Sequence, residues 1–195
     1  MIKKDINQND ILNSELFNIL DYNYVFNDKP IKRTKTKPTL ENSSLKLGTL
    51  KRKIEKIQNC DLKENASKIV FGDGDILSQI MIVGEGPGQK EDATGQPFVG
   101  DAGNLLNKML KAIKIEREKV YVTNVVNYRP PNNRKPEQSE INRYSEYLKE
   151  HISIIDPKIL ILMGSTAMEA ILGSKKRISQ ERGQWKEVII GEKNY

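Results

Sequence analysis

The segment that most restricts the fold of this chain is residues 79–101, QIMIVGEGPGQKEDATGQPFVGD. Its apolar run, residues 80–83, is short and rich in β-branched side chains, which predicts a strand buried on both faces. Three glycines and a proline follow in residues 84–88, where neither a helix nor a strand can continue. We therefore expect the carboxylate of Glu85 at the carboxyl end of a buried strand, which is where open α/β sheets bind ligands.

Further along the chain, two more apolar runs predict strands at residues 120–126 and 158–163. The intervening segments carry apolar residues at helical spacing. One predicted helix buries Leu105, Leu106, Met109, Leu110 and Ile113, a longer one opens at Lys135-Pro136, and a short one ends at Leu172-Gly173. Strands that alternate with helices predict an α/β three-layer sandwich with a central, mostly parallel sheet and helices on both faces.

The N-terminal part of the chain has a different composition. Apolar residues at helical spacing predict a helix over residues 10–26. Residues 27–43 are rich in Lys, Thr, Asn and Pro, which predicts a flexible basic linker, either a solvated tether or an arm that grips DNA. Ser44 is the expected cap of the next helix, which ends near Asn59. We thus divide the chain into an N-terminal segment, 1–43, and one domain, 44–195.

Composition narrows the class of partner. Lys and Arg number 32 against 26 Asp and Glu, and this net charge of +6 mildly favours a polyanion. No apolar stretch approaches the roughly 18 residues of a membrane span, and no signal peptide is visible. The single cysteine, Cys60, excludes an intramolecular disulfide. We expect a soluble cytoplasmic protein with no membrane partner.

Several motifs occur together and in one order. They are G-E-G-P-G at 84–88, E-D at 91–92, G-Q-P-F-V-G-x-A-G at 95–103, T-N-V-V at 123–126 and R-P-P-N-N-R-K-P at 129–136. In order and spacing they resemble the family 4 (type-4) uracil-DNA glycosylases, over about residues 50–185. The resemblance implies the uracil-DNA glycosylase fold and hydrolysis of the N-glycosidic bond of a uracil flipped out of DNA, the first step of base-excision repair.

The resemblance also assigns roles to residues. Asn124 would pair with N3–H and O4 of uracil, Phe98 would stack on the base, and Glu85 would stabilise the developing positive charge of the sugar and orient water. Gly84 and Gly86 would complete the uracil-binding surface, with the Gly88 amide also able to meet uracil or a phosphate. A rigid loop that contacts the DNA backbone would contain Pro130, Pro131 and Arg134. In an arbitrary protein, Asn124 would merely close a strand and Phe98 would fill the core.

One departure from the family concerns its iron–sulfur cluster. The relatives bind a four-iron cluster through four cysteines, and these positions are here Ile57, Cys60, Tyr128 and Tyr144. One thiolate cannot hold a cluster, and Ile57 and Tyr144 also fit the apolar stripes of their helices. We therefore predict no iron–sulfur cluster, no other metal and no cofactor.

A second departure concerns the C-terminal part. In the relatives an arginine-glycine-glutamine-tryptophan run precedes a final core strand and a loop with a motif histidine. Here the run ends at Trp185, and the only histidine, His151, lies in the long helix, where we expect it on the surface or on a helix face. We expect a monomer whose last core strand is missing, so that truncation weakens or abolishes activity unless a separately encoded C-terminal piece completes the sheet.

Three functions compete at this point. The first is a uracil-DNA glycosylase, and the second is a non-catalytic remnant of the same family that binds DNA or uracil. The third is a nucleotide-processing enzyme that uses the glycine-rich loop for phosphate. It ranks last because the chain lacks the paired carboxylates of two-metal chemistry. Excision of uracil from an oligonucleotide separates the first two, and dependence on magnesium separates the third.

Overall fold

The structure, a computed structural model, describes residues 39–174 and 176–195. The predicted N-terminal helix and most of the predicted linker lie outside the described residues. Within these ranges the elements are, in order, α1 (Leu40–Glu55), α2 (Asp61–Glu64), β1 (Asp73–Gly74), β2 (Ile80–Gly84), α3 (Gln89–Thr94), α4 (Asp101–Ala112), β3 (Tyr121–Asn124), α5 (Gln138–Ile155), β4 (Ile159–Leu162), α6 (Ser165–Leu172), α7 (Ile178–Glu181), β5 (Ile189–Ile190) and β6 (Lys193–Asn194). The predicted α/β class and the three predicted strands are confirmed.

The central sheet has the strand order β1-β3-β2-β4. Strands β2, β3 and β4 are parallel, whereas β1 pairs with β3 in the antiparallel direction. Strand β1 has only two residues, and no apolar run in the sequence marks it. Because Gly84 is the register partner of Asn124, the carboxyl ends of β2 and β3 lie side by side.

Both faces of the sheet are covered. Successive side chains of a strand point to opposite faces, and accordingly Met81 and Val83 pack in the larger core with α1, α5 and α6, whereas Ile82 packs in a smaller core with α4. The predicted stripe of α4 was too broad, because Leu106 and Leu110 are buried but Leu105, Met109 and Ile113 are more than half exposed. Of the described helices, none is long and apolar enough to cross a membrane.

Two helix starts differ from the prediction. Helix α1 begins at Leu40, with Thr39 as its N-cap, and Ser43 is buried within it; the predicted cap at Ser44 was wrong. Helix α5 begins at Gln138 rather than at Lys135-Pro136. The reason is a capping box, in which the side chains of Glu137 and Glu140 pair with each other's backbone amides and set the first turn.

Candidate active site

The carboxyl ends of β2 and β3 form the centre of the site. The amide of Val125 donates to the carbonyl of Gly84 at 2.9 Å, and that of Val126 to the carbonyl of Glu85 at 3.2 Å. The two segments therefore stay paired beyond the ends of the strands. A Cβ atom on Gly84 would lie 2.5 Å from Oδ1 of Asn124 and 2.6 Å from Cζ of Phe98. The structure therefore brings Gly84, Phe98 and Asn124 into one place, and the absence of a side chain at Gly84 lets the ring and the amide approach its backbone closely.

Asn124 is the last residue of β3 and only 4% exposed. Within residues 39–174 and 176–195, its side-chain amide makes no hydrogen bond to the protein, although buried amides nearly always have a partner. Its donor and acceptor are thus available to a ligand. The neighbouring Thr123, by contrast, is tied down, because its hydroxyl donates to the carbonyl of Phe71 at 2.6 Å.

Phe98 has a backbone conformation that non-glycine residues rarely adopt, with φ of 58°. Phe98 is partly buried and packs against the smaller core. The backbone of Phe98 rests on Gly103, where an added Cβ would lie 1.8 Å from the Phe98 carbonyl oxygen. Such strained residues persist where the surrounding structure holds them, and they concentrate at functional sites.

Glu85 follows Gly84 directly, and its side chain is exposed. The hydroxyl of Thr166, at the start of α6, donates to Oε2 of Glu85 at 2.5 Å. Thr166 carries no signal in the sequence, because no motif connects it to a glutamate that lies in another part of the chain.

Glu91 joins the two loops of the site, and sequence analysis assigned it no role. Its buried carboxylate accepts hydrogen bonds from the amides of Gly88 at 3.1 Å, Val99 at 3.0 Å and Gly100 at 2.7 Å. Gly88 closes the glycine-rich loop, and Val99 follows Phe98. The carboxylate thereby fixes the position of Phe98 relative to the glycine-rich loop. The signal in the sequence was a glutamate three residues after Gly88, which is the spacing of a capping box.

The proline loop lies beside the glycine-rich loop, since a Cβ on Gly86 would be 3.7 Å from Cδ of Pro130. Pro131 opens a short 3-10 turn, Pro131–Asn133. Arg134 forms a two-pronged ion pair with Glu140, at 2.8 and 2.6 Å. This hydrogen bonding raises the pKa of Arg134 and lowers that of Glu140. The guanidinium thus anchors the loop to α5.

The four positions that the resemblance aligns with cluster ligands, Ile57, Cys60, Tyr128 and Tyr144, are all buried in the larger core. Cys60 is a free thiol whose Sγ atom lies 3.4 Å from the hydroxyl of Tyr144. Burial raises the pKa of the hydroxyls of Tyr128 and Tyr144, so both stay neutral. One thiol, two neutral phenols and an alkyl group do not fit an iron–sulfur cluster, which requires thiolates. In the part of the chain that the structure describes, no group of three or more His, Cys, Asp or Glu side chains is placed to hold a metal ion.

His151 is not on the surface, and that part of the prediction was wrong. It lies on the buried face of α5, stacks on Phe71 with ring centroids 4.4 Å apart, and shares a 2.9 Å hydrogen bond with the hydroxyl of Tyr121. Burial lowers its pKa to about 3. His151 therefore belongs to the core and stays neutral.

Comparison with known proteins defines the class first. A family model described as "Uracil DNA glycosylase superfamily" matches residues 71–193, which include the whole site. A type-4 uracil-DNA glycosylase of Thermotoga maritima is 42% identical over 132 residues, which are 67% of this chain and 69% of that protein. The type-4 enzyme of Sulfurisphaera tokodaii is 41% identical over 156 residues, 74% of this chain and 71% of that protein. The chain belongs to the type-4 family of the uracil DNA glycosylase superfamily, which confirms the resemblance seen in its motifs.

Proposed function

We propose that this chain is a uracil-DNA glycosylase of base-excision repair, which hydrolyses the N-glycosidic bond of a uracil flipped out of DNA. One observation carries the proposal: where β2 and β3 end, the buried amide of Asn124 lies beside the ring of the partly buried Phe98, and it has no hydrogen-bond partner within residues 39–174 and 176–195. A polar side chain next to an aromatic face is the arrangement with which a pocket reads a flipped base. The names of the relatives support the same activity.

In this proposal the base lies on Phe98, and Asn124 reads its edge. The amide oxygen accepts from N3–H of uracil while the amide nitrogen donates to O4. Cytosine presents an acceptor at N3 and a donor at its exocyclic amine, so the amide oxygen would face an acceptor and the amide nitrogen a donor. Gly84 is required because any side chain there would fill the space between the ring and the amide.

Glu85 is the proposed catalytic carboxylate. As the C1′–N1 bond breaks, positive charge develops on the sugar and the electron pair of the bond leaves with uracil. A carboxylate beneath the sugar stabilises that positive charge and orients the water that attacks C1′. On the same loop, the amide of Gly86 is the proposed donor to uracil or a phosphate. The expectation that the Gly88 amide shares this role is wrong, because that amide donates to the carboxylate of Glu91.

Pro130, Pro131 and Arg134 are the proposed contacts to the DNA backbone. Arg134 has five N–H groups, of which three are used by the carboxylate of Glu140 and the carbonyl of Lys135. The carboxylate of Glu137 also lies 3.7 Å from Nη2, so Nε–H is the proposed donor to a phosphate, and the side chain is 33% exposed. The exposed Lys135, which sequence analysis left without a role, adds a second positive charge at this surface.

We also propose that the chain acts in the cytoplasm as a monomer and that a separately encoded strand extends its sheet at β4. Strand β4 is an edge of the sheet, with Ile159 and Ile161 36% and 40% exposed, beside a groove of about 820 Å³. An edge strand with apolar side chains is a template for strand addition.

Sedimentation should give the monomer mass, and the β4 amides should gain protection from hydrogen exchange when the product of the neighbouring reading frame is added. A dimer mass or unchanged exchange would contradict this.

The activity is tested with an oligonucleotide that contains one uracil. After excision, alkali cleaves the strand at the abasic site, and an oligonucleotide with thymine at that position is the control. We expect excision of uracil alone, without magnesium. Asn124→Asp replaces the donor by an acceptor. It should weaken the binding of uracil by about 1–3 kcal/mol and narrow the preference for uracil over cytosine. Phe98→Ala should weaken binding of both bases alike. Folded protein that binds the uracil oligonucleotide without excising uracil would favour the non-catalytic alternative.

A further inference from the structure

The contact between Thr166 and Glu85 joins two parts of the site that no motif connects. Glu85 follows β2, whereas Thr166 is the second residue of α6, which follows the neighbouring strand β4. The Thr166 side chain is completely buried, and its hydroxyl donates to Oε2 of Glu85 at 2.5 Å. A rigid, buried hydroxyl thus holds one oxygen of an otherwise exposed carboxylate.

The chemistry of threonine suits this task. Its χ1 angle is restricted by branching at Cβ, and a hydroxyl has one proton to donate, here given to Oε2. A glutamate side chain has three rotatable bonds, and an exposed one samples many orientations. With Oε2 held, the carboxylate as a whole, including Oε1, has fewer orientations open to it. Orientation of a catalytic group before reaction removes an entropy cost from the barrier.

We infer that Thr166 is a positioning residue for the reaction, which holds the carboxylate of Glu85 through Oε2. The inference rests on the proposed function, because it assigns Thr166 a role in that same chemistry. It predicts an effect on the rate of excision and not on the binding of DNA, since the buried Thr166 side chain cannot touch the substrate.

The test measures single-turnover excision of uracil, with the enzyme in excess, together with affinity for the uracil oligonucleotide. Thr166→Val keeps the shape without the donor and should lower the rate about 10- to 100-fold at unchanged affinity. Thr166→Ser keeps the donor and should restore most of the rate. In a Glu85→Ala background, Thr166→Val should have almost no further effect, because the group that it positions is gone.

Thr123→Val is the matched control for folding. The Thr123 side chain is also fully buried and donates one short hydrogen bond, to the carbonyl of Phe71, on the opposite face of β3 from Asn124. It should lose similar stability while the excision rate stays near that of the wild type. If Thr166→Val does not fold, Thr166→Ala is compared with Thr166→Ser in its place.

Two failures are distinguishable. A folded wild type that excises no uracil would refute the proposed function and this inference with it. An active wild type would refute the inference alone if Thr166→Val were as fast, if Thr166→Ser failed to restore the rate, or if the loss were the same in the Glu85→Ala background.

Discussion

Adding a single methyl group at Gly103 should displace Phe98 and impair the site. It lies in the first turn of α4, and a Cβ added there would be 1.8 Å from the carbonyl oxygen and 2.2 Å from the carbonyl carbon of Phe98. Ordinary contact begins at 3.4 Å, so the Phe98 backbone must retreat by roughly 1.5 Å. The obstacle is backbone, which cannot swing aside as the end of a long side chain can.

The effect of Gly103→Ala can be estimated from this displacement. Overpacking costs about 1–3 kcal/mol, which outweighs the gain of up to about 1 kcal/mol that alanine brings to a helix. Stacking of one base on an aromatic ring is worth about 1–3 kcal/mol, and a ring moved by more than an ångström loses most of it. We therefore expect the efficiency of uracil excision to fall about 5- to 150-fold, measured on the uracil oligonucleotide, with unfolding in urea as the measure of stability.

Gly48→Ala is the matched control. Gly48 is an exposed glycine within α1, and an added Cβ there meets nothing within 4 Å. The substitution should stabilise the protein by up to about 1 kcal/mol and leave excision unchanged. The reasoning would be refuted if Gly103→Ala stabilised the protein as Gly48→Ala does and excised uracil at the wild-type rate.

Two further predictions concern charge. Burial lowers the pKa of His151 to about 3 from 6.5, so below pH 6.5 the unfolded chain binds a proton that the folded chain excludes; stability should fall by about 2 kcal/mol between pH 7.5 and 5. Urea titrations at both pH values should show that His151→Gln loses most of this dependence, and an unchanged dependence would contradict the assignment. Affinity for DNA should weaken steeply with salt, and Lys135→Ala should reduce the slope of log affinity against log salt by about 0.7–0.9 if Lys135 meets a phosphate. An identical slope would remove Lys135 from the interface.

The three parallel strands could be predicted from the sequence because each contains a short apolar run rich in β-branched side chains, although β4 lies at the edge of the sheet and is only partly buried. The stripe of α4 shows the limit of such patterns. Leu105 and Met109 share the helical spacing of Leu106 and Leu110, yet they are exposed, because one edge of the helix suffices to cover the small face beside Ile82. Periodicity reports which residues are apolar and does not report how wide the covered face is.

Some residues of the site could be predicted from motifs, whereas the environment of others could not. Asn124 and Phe98 were predicted as site residues because the motifs contain them, and the structure adds that both lie next to Gly84. Thr166 and His151 could not be placed from the sequence, since the burial of each depends on partners from distant segments. A lone histidine in a helix gives no sign that Phe71 and Tyr121 will enclose it.

The positions of the absent cluster ligands illustrate how a core can replace a cofactor. Tyr144 is fully buried on α5, and its hydroxyl meets Cys60, which precedes α2. The pair therefore connects the same two segments that a shared cluster would connect. Tyr128 and Ile57 fill the remaining space with apolar surface, which stabilises without any metal.

Tyr144→Phe tests this account, because it keeps the ring and removes the hydroxyl. Loss of a buried hydrogen bond should lower the free energy of unfolding by about 0.5–1.5 kcal/mol, measured in urea. The control is Tyr147→Phe on the same helix. That residue is half-buried, and its hydroxyl has no hydrogen-bond partner in the described ranges, so its removal should change stability by less than about 0.5 kcal/mol.

Tyr144→Cys should lower the free energy of unfolding by more, about 3–5 kcal/mol, because it leaves a cavity where the ring was. Neither wild type nor Tyr144→Cys should retain iron, since two thiols cannot hold a cluster. Stoichiometric iron and sulfide in anaerobically purified wild type would overturn the view that packed tyrosines occupy the cluster's place.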